Sequence, residues 1–436
     1  MKLACVLVGI ISWLPILGQQ VKHTEIKEFT ENVFHLSEVM LHDVANPPAA
    51  GRFYAYCLLG AFEVIEAGND KWNVSHHFRV NPGFNLPKVF PGWSKTFCAQ
   101  YAMLEVGRQI LPSGYLLEEN QKNLINLYKQ KYKLTTQLIE ANKKFAVEIA
   151  SQVIKYASSD GYLRLSTLTR YKPNKKEEGR WYPTPPEYMG AVEPEWRTIR
   201  TFFLYSSSQF SPPAPAKFSK ESDSPFYKQM IEVYQTTKAL SDEQKNIANF
   251  WDCNPFAVSY SGHMSIGLKK ISPGGHWLGI TGIVCNQRQA SFDSTVLVHA
   301  MVSLTLHDSF VSCWDEKYRS DRIRPEAAIN RYLDPTWRPL LQTPPFPEYT
   351  SGHSVISTAS AEILTYYFGD QFAFVDTSEE FFGLNPRTFQ SFRQASTEAA
   401  ISRLYGGIHY RDAIEAGQIQ GRMIGNFIAR KMGFVD

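Results

Sequence analysis

Apolar residues recur at three- and four-residue steps along most of the chain, the spacing that lines one face of an α-helix. The pattern covers "TEIKEFTENVFHLSEVMLHDV" (24–44), "GRFYAYCLLGAFEVIEAG" (51–68) and "TFCAQYAMLEVGRQIL" (96–111), and continues to about residue 157. Asn46-Pro47-Pro48 and Asn81-Pro82-Gly83 punctuate it. It resumes over 227–252 and through "QRQASFDSTVLVHAMVSLTLHDSFVSCWDEKYRSDRI", then in three stretches that begin at Gly352, Arg393 and Tyr410. Strand-like alternation is absent and no fixed period repeats, so the pattern predicts an all-α protein.

Residues 171–226 break the rhythm. They are rich in proline, which forbids regular helix and disfavours strands. Trp181, Tyr182, Tyr188, Trp196 and Phe202 are interleaved among the prolines, which predicts an ordered, irregular segment laid across helices. The chain then divides into a leader (1–19), an N-terminal helical region (20–170), this segment (171–226) and a C-terminal helical region (227–436). The leader, "MKLACVLVGIISWLPILGQQ", has one Lys, an apolar run and a polar end. That is the layout of a signal peptide cut near Gly18 to Gln20, and it predicts export to a periplasmic or extracellular space. No later stretch offers the ~18 uninterrupted apolar residues of a spanning helix.

Forty-five basic residues against forty-two acidic ones leave a net charge of +3. So even a balance argues against nucleic acid or an anionic membrane as partner, and any positive feature must be local. After the leader, Cys57, Cys98, Cys253, Cys285 and Cys313 show no CxxC spacing. Buried free thiols are expected of them, and a cysteine-ligated metal is not.

One local positive feature is "EKYRSDRIRPEAAIN" (316–330). Lys317 and Arg324 are seven apart, close to two helical turns, so on a continuous helix both project from one face with Trp314 a turn earlier. Arg319 and Arg322 point elsewhere, to water or carboxylates. Two further stretches complete a set: Ser351-Gly352-His353, and Ser402-Arg403 followed by His409. Ser351 falls where a helix begins, so free backbone N–H groups and the positive end of the helix dipole face outward there. Lys317, Arg324 and Arg403 can give an oxyanion charge-assisted hydrogen bonds. Gly406-Gly407 supplies the break that lets Arg403 and His409 face one site.

In these residues the chain resembles the superfamily of type 2 phosphatidic acid phosphatases and vanadium-dependent haloperoxidases, whose pattern is K-x6-RP, PSGH and SR-x5-H-x3-D. "WYPTPPEY" and the long helical N-terminal part resemble its soluble haloperoxidase-like branch. The resemblance implies a helical-bundle core with an N-terminal helical extension, and a site for vanadate or phosphate. It implies that Lys317, Arg324, Ser351, Gly352 and Arg403 bind equatorial oxygens. His409 would be the axial ligand to the vanadium of vanadate, or the nucleophile toward phosphorus, and His353 the general acid/base. Two departures stand out: Thr350 replaces the proline before Ser351, and Asp412 follows His409 after two residues instead of three. Asp412 is expected either to orient His409 or to cap the last helix.

Trp314 and Phe346 stand where the chloroperoxidases carry a Trp and a Phe near the proposed halide site; ordinary core packing is the other reading. Asp252, in "NFWDCNP", is a candidate partner for a site arginine. Three functions remain open at this stage. The first is a haloperoxidase that oxidises halide with hydrogen peroxide, Lys317 polarising the bound oxidant. The second is an acid phosphatase that hydrolyses phosphomonoesters through a phosphohistidine. The third is a non-catalytic phosphate-binding protein.

Overall fold

The computed structural model describes residues 14–69, 72–174, 176–256, 258–261, 264–267 and 270–433. Residues 1–13 of the expected leader lie outside them. Thirteen α-helices dominate the described residues. The N-terminal stretch forms α1 (Leu14–His42), α2 (Pro47–Ala67), α3 (Lys95–Ile110), α4 (Leu117–Gln130) and α5 (Thr136–Ser158). Polar caps set several starts: the side chains of Asn46, Ser94 and Thr135 accept the N–H three residues on.

The apolar stretch 227–252 divides into α6 (Pro225–Lys238) and α7 (Asp242–Phe250), because Ser241 and Gln244 form a reciprocal capping box that begins a new helix. Then follow α8 (Pro273–Gln287), α9 (Phe292–Ser320), α10 (Pro325–Tyr332), α11 (Gly352–Phe368), α12 (Phe392–Tyr405) and α13 (Arg411–Lys431). The strands form two antiparallel hairpins of three- and four-residue arms, β1 (Val258–Ser261) with β2 (Met264–Gly267) and β3 (Phe374–Asp376) with β4 (Arg387–Phe389). They connect helices and build no layer, so the architecture is all-α.

Helix α9 runs through the middle, packed by α2, α8, α11 and α13. By length and composition it is apolar enough to cross a membrane, but Ser, Thr, His and Asp interrupt its run and its apolar window is wholly buried in the bundle. A helix apolar all round is a core helix when other helices cover it. One hydrophobic cluster extends from Ile26 of α1 to Ala429 of α13, so the N- and C-terminal helices share a core. Helix α13 approaches α11 closely through Gly417, Gly421 and Gly425; a methyl on Gly421 would lie 2.2 Å from the Val355 carbonyl oxygen. That contact holds the start of α11, and with it Ser351, against α13.

Between α5 and α6 the chain is irregular, with short 3-10 turns at Tyr162–Thr167 and Trp196–Thr198. Backbone groups pin this segment onto the C-terminal helices. Trp181 N–H donates to the Asp321 carbonyl (2.9 Å) and Val192 N–H to that of Pro345 (3.1 Å). The amides of Phe202, Phe203 and Leu204 all donate to the buried Asp308 carboxylate on α9. Trp181, Trp196 and Phe202 are buried, while Tyr188 is exposed.

Candidate anion-binding site

Lys317 and Arg324 do not share a helix face. Helix α9 ends at Ser320, Asp321 takes a left-handed conformation (φ 51°), and Arg324 is extended (ψ 153°) where it caps α10. Pro325 explains the break, since it restricts the residue before it to extended backbone and suits the first helical position. The two side chains converge because the chain turns at Asp321. They meet over the loop that precedes Ser351. Lys317 Nζ donates to the carbonyls of Pro347 (3.2 Å), Glu348 (3.1 Å) and Thr350. Arg324 donates to those of Phe346 (2.8 Å) and Ile408 (2.9 Å). Arg403, in the last turn of α12, donates to the Trp251 carbonyl (2.6 Å) and Ser402 Oγ (2.9 Å).

All three cations are buried. Among the described residues none of them forms an ion pair with a carboxylate. Burial penalises their charge, drawing Lys317 down to about 7 and Arg324 down to about 10, and lowering Arg403. Asp252 favours the Arg403 cation through its charge, but its ion pair is with Lys270 (3.4 Å). Three desolvated cations without a counter-ion are stabilised by an anion.

Ser351 caps α11, its Oγ accepting from Ser354 N–H (3.3 Å). The amides of Gly352 and His353 open the helix, where no intrahelical carbonyl can reach them. On the opposite side α12 ends with Gly407 at φ +74°, and Ile408 N–H returns to the Arg403 carbonyl (3.2 Å). This reversal brings His409 to the site. Its Nδ1 lies 2.8 Å from Glu348 Oε1, and its Nε2 receives a hydrogen bond from Arg324 Nη1 (3.2 Å). The carboxylate assigns the proton to Nδ1, so the lone pair is on Nε2. Desolvation, then the charges of Arg324 and Lys317, hold His409 well below the usual histidine value. It is therefore neutral.

Asp412 does not take the orienting role. It lies in the first turn of α13 and forks onto Arg322 at 2.6 and 2.7 Å, while Arg322 Nε donates to Glu348 Oε2 (2.6 Å). Glu348 is the residue that orients His409, and Asp412 reaches the histidine only through Arg322 and Glu348. With two residues after His409 instead of three, and α13 starting at Arg411, the aspartate meets Arg322 first. Sequence reasoning passed over Glu348, although it sits in "FPEYTSGH", because a glutamate three residues before a helix cap has no spacing rule to single it out. Arg319 pairs with Asp315 and Glu316, as a surface cation would.

His353 Nε2 is buried without a hydrogen-bond partner, and the ring bonds the Trp251 carbonyl on its other side. Desolvation, with Arg403 and His409 nearby, holds it well below its ordinary value. A cavity of about 50 Å³ is walled by Trp314, Phe346, Gly352, His353, Arg403 and His409. Space for a few waters suits one compact tetrahedral oxyanion. The Trp314 and Phe346 rings lie 5.0 Å apart, with Lys317 Nζ 5.7 and 5.2 Å from their centres. The structure thus brings together every candidate of the sequence analysis except Asp412, which Arg322 and Glu348 separate from His409. Asp252 lines the cavity although its ion pair is with Lys270.

The VCPO second helical-bundle domain matches residues 297–434, the span that carries Lys317, Arg324, Ser351, Arg403 and His409. The solved structure of the first bacterial vanadium-dependent iodoperoxidase is 39% identical over 93% of this chain and 96% of its own, with a TM-score of 0.86. The chain belongs to the vanadium-dependent haloperoxidases. Holo- and apo-type bacterial vanadium-dependent chloroperoxidases, each 14% identical, share the fold with TM-scores of 0.71 and 0.68. They cover 89% of this chain, and 92% and 94% of their own. Among curated proteins none matches.

The residues of this haloperoxidase chain fit a vanadate. Buried cations without a carboxylate partner, the helix-start amides of Gly352 and His353, and a neutral imidazole whose Nε2 carries a lone pair are donors that would hold such an oxyanion. A pH dependence follows. Lys317 sits at about 7 before an anion arrives, and an anion beside it raises that value. Oxyanion affinity is then full below about pH 7 and falls as pH rises, by up to about tenfold per unit, until the bound-state value is passed. Calorimetric titration with molybdate, whose charge is constant over this range, should show that slope, and Lys317→Gln should flatten it. A wild-type affinity independent of pH would remove Lys317 from the anion's surroundings.

Proposed function

We propose that this chain oxidises halide, with iodide preferred, by hydrogen peroxide at a vanadate held by His409, Lys317, Arg324, Ser351, Gly352 and Arg403. The observation that carries this reading is His409: neutral, anchored at Nδ1 by Glu348, accepting from Arg324 at Nε2, and lining with His353 and Arg403 one small cavity. Vanadate, when bound, supplies Lewis-acid activation of peroxide without a change in oxidation state.

The protein's own groups do the rest. His409 Nε2 gives its lone pair to the oxyanion, and Glu348 keeps the ring in that tautomer. Lys317, Arg324 and Arg403 offset negative charge on the oxygens, and their carbonyl partners hold them in place before substrate arrives. His353 Nε2 accepts a proton from hydrogen peroxide and returns it to the departing hypohalite. Trp314 and Phe346 offer halide an apolar wall where it is poorly hydrated and more reactive. Iodide, large and weakly hydrated, loses least on entering. The 39% identity to an iodoperoxidase supports the same choice. The leader pattern supports export.

The test is peroxide-dependent oxidation of iodide, bromide and chloride by the protein reconstituted with orthovanadate. Iodide should react fastest, and no halide should react without vanadate. Trp314→Ala and Phe346→Ala should slow halide oxidation while leaving vanadate affinity within a few-fold. A protein that hydrolyses phosphomonoesters while free of vanadate, and leaves all three halides untouched once loaded with it, would be a phosphatase instead.

A further inference from the structure

A second cluster, which the proposed chemistry does not use, adjoins the anion cavity, whose wall it shares through Cys253. Cys253, just after α7, has its Sγ 3.3 Å from Nδ1 of His276 in the first turn of α8. The same Nδ1 lies 3.1 Å from Oε1 of Glu379, which precedes a 3-10 turn at Glu380–Phe382. The three ligand-type atoms all lie within 4.8 Å of one another, and all three residues are buried. Glu379 is only 1% exposed, and apart from the His276 ring beside Oε1 neither of its oxygens has a hydrogen-bond partner among the described residues. An unsatisfied buried carboxylate is costly unless something cationic meets it.

The far side of the histidine is equally specific. His276 Nε2 lies 2.8 Å from Asp376 Oδ2, on β3, and Asp376 accepts from the N–H and hydroxyl of Ser378 (3.0 and 2.6 Å). With a carboxylate at each nitrogen the metal-free ring is held as an imidazolium; a cation at the cluster would displace the Nδ1 proton, while Asp376 keeps the one on Nε2. This is the carboxylate–histidine pair that stands behind most metal-bound imidazoles. The spacings also fit. Zinc bonds of about 2.0 Å to N and O and 2.3 Å to S place neighbouring ligand atoms of a tetrahedron roughly 3.3–3.5 Å apart.

We propose that Cys253, His276 and Glu379 bind a zinc ion, with Asp376 orienting the histidine. Thiolate, imidazole and carboxylate together select a borderline-soft metal, and zinc has no redox chemistry to conflict with peroxide next door. Thiolate and carboxylate balance its two charges, and a fourth position stays open. The ion acts on the neighbouring site by position. Trp251 stacks on His276 with ring centres 4.5 Å apart, and its carbonyl holds both Arg403 and His353. Zinc would thus fix the segment 251–253 from below. All five described cysteines are free and buried, as expected for most of them. Only the expectation that none ligates a metal is set aside, since the partners of Cys253 are too distant in sequence to form a spacing motif.

Elemental analysis of the folded protein, grown with zinc and purified without chelator or vanadate, should find about one zinc per chain. Glu379→Gln and Cys253→Ala, checked for helix content, should each retain less than about a tenth of it. Wild-type protein stripped by chelator and given cobalt should develop thiolate-to-cobalt absorption that Cys253→Ser lacks, a readout independent of the other variants' folding. Folded wild-type protein that carries no zinc and takes up neither metal would overturn the proposal. It would leave His276 as an imidazolium held between Asp376 and Glu379. Zinc retained in full by both variants would overturn it as well, by placing the metal elsewhere.

Discussion

His409→Ala should lose tight vanadate binding and, with it, all halide oxidation at stoichiometric vanadate. His409 offers the lone pair by which the protein would hold vanadium directly; every other contact is a hydrogen bond or a charge. Removing it also deprives Glu348 Oε1 of one of its two partners, leaving Tyr410 N–H (3.0 Å). Glu348→Gln provides the graded control. The amide can still accept from Nδ1 but no longer favours that tautomer by charge, so affinity should fall by the ~10–100-fold typical of residues behind a metal ligand. Vanadate dissociation constants from calorimetry, with helix content checked, give the order wild type, Glu348→Gln, His409→Ala from tightest to weakest. Unchanged affinity in His409→Ala would dismiss its role as a direct ligand.

The second large effect is on rate. His353→Ala should bind vanadate within a few-fold of wild type and turn over ~10²–10⁴-fold more slowly, the loss expected when a general acid/base is removed. The reason lies in its surroundings. Its Nε2 has no hydrogen-bond partner to hold its proton elsewhere, and burial with Arg403 close by keeps the ring neutral and able to accept one. Because the folded-state value is depressed, acid must be strong before the imidazole is blocked. Before the anion binds, the ring should therefore stay neutral well below pH 6.5, the ordinary histidine value, and a bound oxyanion shifts that value upward. Single-turnover kinetics on vanadate-saturated protein separate the two histidines. Equal turnover in wild type and His353→Ala would mean that solvent moves the proton.

Much of the architecture was legible from the pattern of apolar residues. The stretch that begins at Gly352 is α11 to the residue, since a serine cap and an unbroken apolar face mark both its start and its course. Lys317 and Arg324 were found for a reason that fails: seven residues apart reads as one helix face, yet Asp321 and Pro325 end one helix and begin another between them. Helix α9 offers no uninterrupted apolar run because Ser, Thr, His and Asp punctuate it, and only the packing of the other helices shows that it is a core helix.

Local order is written in neighbouring residues, so caps, helix faces, breaks and the three short motifs of the anion site could be read from the chain alone. Side-chain partnerships across the bundle could not. Glu348 reaches His409 and Arg322 reaches Asp412 only after α9, the loop before α11 and the start of α13 have packed together. Cys253, His276 and Glu379 meet only where α8 folds against the segments that carry the other two. Hydrogen bonds and charges act over a few ångströms of space, whatever the separation along the chain, and packing decides which groups come within that range.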